Sequence, residues 1–450
     1  MMFRVLLIVF AATALGQSQL TLEQAVNAAV AKYPSIQVSI EQASAASSAV
    51  ALARMSFLPR ADLLLQANRA THNNVYGLLL PNAVIPAISG PVLDASKFRN
   101  VFGTAAGVLV SWEPFDFGLR QAGVDAASAS KRRAELSIEK TKFEVAAATA
   151  DAYLTILAAQ RNIDAAQAAI ERTRQLDTLV GALVKAELRP GADLSRLKAE
   201  QAVATTFLYQ ARQAEQMARA ALGQMVGREA SGGELASAKF LNAAPEVAAT
   251  TTGANHPAIA EQTAAIEEVK ARQTILDKSF YPKFGTQGAL YGRGTGASII
   301  GPDQGGLNGF GPNIGNWALS FSMTWSMLDY KTLRVKKEIE LANERKETAR
   351  RSLLSTEVKG AEDRARAMIA GARQIAAVTP DQVGALKTTL EQVTARYKAG
   401  LGTLIEVADA QRMLSQAEVD DAMARLNVWR AQLALAIAQG DLKPFLDMTR

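Results

Sequence analysis

The chain has 450 residues, 49 Lys+Arg against 43 Asp+Glu for a net charge of +6, no cysteine, and only 6% aromatic residues. The lack of cysteine excludes thiol nucleophiles, disulfides and lipid attachment through an N-terminal cysteine. With only His72 and His256 as imidazoles, next to no transition-metal site remains. The basic excess is mild and sits in mixed-sign clusters such as Lys131-Arg132-Arg133-Ala134-Glu135, a solvated helix face and not a nucleic-acid footprint.

Residues 1–16 read as a cleaved secretory signal: Arg4 precedes an apolar run from Val5 to Leu15, and Ala14-Leu15-Gly16 supplies the small residues a signal peptidase reads. That run is too short to span a membrane, and no later window offers the roughly 20 apolar residues a helical span needs. An exported chain of this kind would enter a membrane only as strands.

Thr21 with Gln24 three residues on resembles a capping box, predicting a short helix to about Lys32. Pro34 opens a second helix that Phe57-Leu58-Pro59 closes. The texture then changes: Leu63, Leu65 and Ala67 alternate with Asp62, Leu64 and Gln66, and Val108 and Val110 alternate around Leu109 ahead of Trp112. Two strands, about 61–70 and 102–112, are expected around a long loop rich in turn residues. Residues 120–188 then predict one helix of about 100 Å at 1.5 Å per residue. Its seam, Phe143, Ala147, Ala150, Leu154 and Leu157, steps by four and three like a coiled coil. Leu188-Arg189-Pro190-Gly191-Ala192-Asp193 is a tip where the chain reverses. A linker is expected over 227–250, around Gly232-Gly233 and Pro245.

The second half repeats these landmarks. Tyr33-Pro34-Ser35-Ile36 returns as His256-Pro257-Ala258-Ile259, and Phe57-Leu58-Pro59 as Phe280-Tyr281-Pro282, with 25 residues between the prolines in each half (34 to 59, 257 to 282). Trp112 precedes Asp116-Phe117 as Trp325 precedes Asp329-Tyr330. Two structural repeats, 17–226 and 251–440, follow. The second is expected to hold strands at about 284–292 and 317–326, a long helix at about 332–399, and a tip over 397–406. In it Leu319, Phe321, Met323 and Trp325 share one face against Ala318, Ser320, Ser322 and Thr324, an alternation that suits a transmembrane β-strand or a half-buried soluble hairpin. Gly400 and Gly402 provide the reversal, Pro380 is expected to kink or break the long helix, and Ala422, Leu426, Trp429, Leu433 and Ala436 form a second packing seam. The tail 441–450 carries no readable pattern.

The expected fold is therefore mainly α with a small β part. Four strands cannot close a barrel and open edges are not tolerated in lipid, so membrane strands imply association, with three chains giving twelve strands. The duplicated layout, the Leu20-Thr21-Leu22-Glu23-Gln24-Ala25 opening, the proline-bounded helices and the Tyr397-x-x-Gly400 tip followed by Glu406-Val407-x-Asp409-Ala410 together resemble the TolC-like outer-membrane efflux family. That resemblance implies a homotrimeric duct: a 12-stranded β-barrel in the outer-membrane lipid of a Gram-negative envelope, and a barrel of antiparallel coiled coils across the periplasm. It further implies a periplasmic adaptor (membrane fusion) protein at the tips and an inner-membrane pump of RND, ABC or MFS type that supplies the energy, with no cofactor.

In that family the second tip carries acidic residues around the periplasmic entrance, and Glu406 and Asp409 match them. Three apart on a helix, they share one face, so three chains would gather six carboxylates. The alternative reading has them only complementing the helix dipole. Tyr397 matches a family tyrosine at the same tip and is expected in the gate with Glu406 and Asp409, whereas Gly402 stands where the family has an arginine that pairs with the acidic ring. Pro190, Gly191, Ala192, Gly400, Leu401 and Gly402 are expected to meet the adaptor. Two rivals stand beside the duct: an exported coiled-coil scaffold without a pore, and an enzyme, for which Gly292-Arg-Gly-Thr-Gly lacks the following helix a phosphate site needs.

Overall fold

A computed structural model describes residues 19–71, 100–227, 232–237, 240, 256–296, 298 and 306–449. The signal segment 1–16, His72, the long loop between the first two strands, much of the expected linker and Arg450 lie outside them. In chain order the elements are α1 (Leu22–Lys32), α2 (Pro34–Met55), β1 (Arg60–Thr71), β2 (Asn100–Phe115), α3 (Leu119–Lys185), α4 (Gly191–Val226), α5 (Pro257–Ser279), β3 (Lys283–Thr295), β4 (Ile314–Thr324), α6 (Tyr330–Lys398), α7 (Leu404–Gln439) and α8 (Lys443–Met448). The fold is mainly helical with one small antiparallel sheet. The duplication is plain in the helix lengths: 22 and 23 residues for α2 and α5, 67 and 69 for α3 and α6, 36 each for α4 and α7.

Two compact units emerge, and each draws on both halves of the sequence. The first takes its described residues from Met1–Gln42, Ala134–Gln262 and Arg350–Arg450. The two seams read from the sequence meet in its core: Ala147, Ala150, Leu154 and Leu157 of α3 join Leu426, Trp429, Leu433 and Ala436 of α7 in one cluster with α1, α4 and α8. Each large apolar side chain so buried contributes roughly 1.5–3 kcal/mol. The expected capping box starts α1, Gln24 N–H donating to Thr21 Oγ1 at 3.2 Å and Thr21 N–H to Gln24 Oε1 at 3.1 Å.

Several segments differ from expectation. The described part of the linker is core: Leu235 pairs with Leu20 as a parallel bridge, the Tyr153 hydroxyl lies 2.8 Å from Leu20 O and 3.1 Å from Ala236 O, and Phe240 packs on Trp429. The patternless tail forms α8, whose Phe445 is fully buried; six residues are too few to show a period. No break occurs at Pro380, since α6 runs uninterrupted through it. A proline costs a helix about 3 kcal/mol, and neighbouring packing offsets that loss here: adjacent Thr379 is buried and donates to Asp421 Oδ1 of α7 at 2.7 Å, while the proline ring faces outward.

The second unit takes its described residues from Ala43–Arg133 and Thr263–Ala349 and contains the sheet, in the order β1-β2-β3-β4 with every neighbouring pair antiparallel. The strands outrun their sequence limits at most ends, β2 by three residues beyond Trp112, whereas β4 stops at Thr324, one short of Trp325. The two tryptophans occupy equivalent places: Trp112 Nε1 donates to Phe57 O and Trp325 Nε1 to Phe280 O, each at 3.0 Å. At the corner after β2, Phe117 (φ 53°) and Gly118 (φ 87°) turn the chain. Burial opposes ionisation of Asp116 there. Hydrogen bonds from Arg120 and from the Gly118 N–H outweigh it and hold the carboxyl below its usual range.

Candidate functional site

Two regions hold the residues that sequence reading singled out. The first is the sheet. Cross-strand register aligns Leu63 with Val108, Val108 with Leu290, and Leu290 with Trp317, so one apolar row crosses all four strands. These side chains are 73, 44, 71 and 78% exposed. Leu65, Val110, Leu319, Phe321 and Met323 are exposed on the same face. The opposite face carries Asp62, Gln66 and Ser322, and a polar row in register across three strands, Ser111, Gln287 and Ser320. A strand pair folded into a soluble core would hide the apolar face; in this sheet the apolar face is the more exposed of the two. Aromatic rings gather at the sheet end next to α2 and α5: Phe115, Phe117, Tyr281 and Phe284 lie 4.6–6.3 Å apart, as in the aromatic belt of a membrane boundary. Among the described residues no helix is long and apolar enough to cross a membrane, and no group of His, Cys, Asp or Glu is arranged to hold a metal.

The second region is the pair of tips in the first unit, where α3 meets α4 and α6 meets α7. At the second tip Gly400 adopts φ 79°, and Leu401 N–H returns to Arg396 O at 2.9 Å, ending α6. Gly402 serves differently: its φ is not left-handed, but a Cβ there would stand 3.3 Å from both Glu406 Oε2 and Tyr397 N. The first tip turns at Glu187 (φ 59°), before Gly191, which begins α4. Pro190, Gly191, Ala192, Gly400 and Leu401 are exposed, Leu401 at 73% and Leu188 beside the first tip at 69%.

Tyr397 lies buried between the tips, packed with Leu176, Val180, Leu197, Leu404 and Val407. Its hydroxyl donates to Asp193 Oδ2 at 3.1 Å, and burial, then the Asp193 carboxylate, push its pKa up to about 12. Arg189 reaches over from the first tip, with its guanidinium 4.4 Å above the Tyr397 ring and Nη2 donating to Tyr397 O at 2.7 Å and Gly402 O at 3.3 Å. Sequence reading missed both Arg189 and Asp193; a cation and an acid flanking Pro190-Gly191 were the available signal.

Glu406 is exposed and its carboxylate lies 3.3 Å from Thr403 Oγ1, while its N–H meets the same hydroxyl at the start of α7. Asp409 pairs with Arg412 one turn on. Asp409, but not Glu406, lines an apolar groove of 640 Å³ with Leu176, Leu197, Phe207 and Met413.

A profile of the family described as "Outer membrane efflux protein" matches residues 25–228 and 250–441. The chain belongs to that family. It is thereby an outer-membrane channel protein of an efflux system, extending into the periplasm of a Gram-negative envelope. Solved structures agree in fold. CusC superposes with a TM-score of 0.76 at 14% identity, covering 93% of this chain and 92% of its own. VceC of Vibrio cholerae gives 0.73 at 16% identity over 93% and 96%. The open state of MtrE from Neisseria gonorrhoeae gives 0.69 at 17% identity over 93% and 89%. No curated protein sequence matches the chain. The family is one of channels with trimeric assembly and adaptor and pump partners in general.

Proposed function

We propose that three copies form a passive duct that receives substrate from an inner-membrane pump of RND, ABC or MFS type through a periplasmic adaptor and releases it outside. The observation that carries this reading is the apolar row Leu63–Val108–Leu290–Trp317, exposed across the full width of a sheet whose other face is polar. Lipid is the environment that removes its cost. A pore-free scaffold leaves that row in water and is disfavoured by it.

The exposed tip residues Pro190, Gly191, Ala192, Gly400 and Leu401, with Gly402 behind them, form the rim an adaptor meets. Leu188 and Leu401 would be its apolar anchors. Glu406 and Asp409 ring the entrance. The Arg412 partner of Asp409 halves the ring's net charge, and Glu406 supplies most of its field. Tyr397, being buried, positions the tip and does not line the opening. We place a bend of α6 at Pro380, where the missing N–H weakens the outward side of the helix.

Planar-bilayer recording tests the ring. Glu406→Ala is expected to lower cation selectivity clearly more than Asp409→Ala does. Unchanged conductance and selectivity in the double variant would remove both residues from the constriction.

A further inference from the structure

Among the described residues the sheet has two unpaired edges, β1 and β4, and resting on the trimeric reading above, β4 of one copy pairs with β1 of the next. We infer that this seam has one register, in which Ser320 lies opposite Leu64 of the adjacent copy and Thr324 opposite Arg60. Four constraints lead to it. Within the chain a single row links Arg60, Ser111, Gln287 and Ser320. Were the ring flat, Ser320 would meet the next Arg60, so the seam is described by how far it slides along β1.

Side-chain direction fixes the parity of the slide. An odd step would turn the row of Trp317, Leu319, Phe321 and Met323 against the polar face of β1, so only even steps keep the apolar faces continuous. The strand's limits fix the sense. A slide toward lower numbers sets Ser320 against Ser56, which lies outside β1. Barrel geometry fixes the size. With a rise of about 3.3 Å per residue and strands about 4.8 Å apart, slides of two, four and six per copy in a twelve-stranded ring tilt the strands by about 19°, 35° and 46°. Outer-membrane barrels tilt by about 35–45°, which excludes two and puts six just past the limit.

Strand length then decides for four. That register pairs all of Ile314–Thr324 with Arg60–Ala70 and leaves one residue of β1 over, whereas a slide of six carries Ile314 past Thr71 and leaves Arg60 and Ala61 opposite nothing. On the outer face it sets Phe321 against Leu63 and Leu319 against Leu65, continuing the apolar rows from copy to copy. On the inner face it sets Ser322 against Asp62.

The chain has no cysteine, so introduced pairs report the seam directly. Full-length protein carrying Ser320→Cys with Asp62→Cys, Leu64→Cys or Gln66→Cys would be oxidised in outer-membrane fractions and run on denaturing gels, with Leu319→Cys/Leu65→Cys as a pair of the opposite hydrogen-bonding class. Neighbours two residues off lie beyond disulfide reach, so the Leu64 and Leu65 pairs should yield about tenfold or more covalent trimer than the other two. Native mass measurement of the same variants separates the failures. A trimer linked best through Gln66 or Asp62, or through none of the pairs, overturns the register alone. Protein that is not trimeric overturns both the register and the duct.

Discussion

At the scale of single residues, the tip depends on groups that sequence neighbourhood does not reveal. Arg189 carries two hydrogen bonds and a ring contact onto a segment more than 200 residues away. Charged hydrogen bonds contribute about 1.5–3 kcal/mol, so Arg189→Ala should cost the tip about 2 kcal/mol, read as roughly thirtyfold loss of amide-exchange protection around Leu404–Val407. Lysine at the same place should recover only part of it, because a point charge cannot stack on Tyr397 while reaching both carbonyls. His256 offers a different readout. Its Nδ1 accepts the Ala258 N–H at 3.2 Å at the start of α5, and Phe143 packs on its ring. Burial lowers its pKa, against smaller opposing effects of the Ile437 backbone and Glu144. A depressed value stabilises the fold in full above the ordinary histidine pKa of about 6.5, and that stability is lost as pH falls through the lowered one. His256→Asn keeps a capping acceptor without the titration. It should shrink the drop in melting temperature between about pH 7.5 and pH 5; an unchanged drop places the acid sensitivity elsewhere.

At the scale of elements, seams and caps were legible because each is local or periodic. Thr21 and Gln24 announce α1, and residues stepping by four and three announce the faces of α3 and α7 that do meet. Terminators were read less well. The first tip reads from Leu188 to Asp193 in the sequence, yet its turn is made one residue earlier, at Glu187, where a left-handed backbone conformation is carried by a residue with no glycine signature. Of the kink or break expected at Pro380 the break is absent, since a ring on the outward side of a packed helix sacrifices one hydrogen bond without ending it. Gly400 is the terminator whose conformation no other residue adopts cheaply. Gly400→Ala should destabilise the second tip by about 1–2 kcal/mol, whereas Gly191→Ala, with open space at its Cβ, should be nearly silent in the same exchange measurement.

At the scale of the whole molecule, the duplication was the strongest signal. Landmarks spaced alike in two halves became helices of matching length, and two tryptophans became donors to equivalent carbonyls. Hidden from a linear reading was how the halves interleave: the sheet joins β2 to β3 across the repeat boundary, and each compact unit takes segments from both repeats. Alternation alone separates Leu63 and Leu65 from Asp62 and Gln66, and Leu319 and Phe321 from Ser320 and Ser322, but the continuous outward row needed the register.

The bare edges of β1 and β4 carry a kinetic consequence. A lone subunit would bring unsatisfied amides into hydrocarbon at several kcal/mol apiece, so entry into the bilayer must be collective and its rate must climb steeply with subunit concentration. Such cooperativity is open to poisoning from within. A proline at Leu319 or at Ser320 removes an outward-facing N–H in one of the two cases, because successive amides point to opposite sides of the strand. Co-expressed in equal amount with the unaltered chain, that variant should cut functional channels to about one-eighth, the share of all-intact trios under random mixing, and retention of half would mean that damaged subunits are discarded before they meet the others.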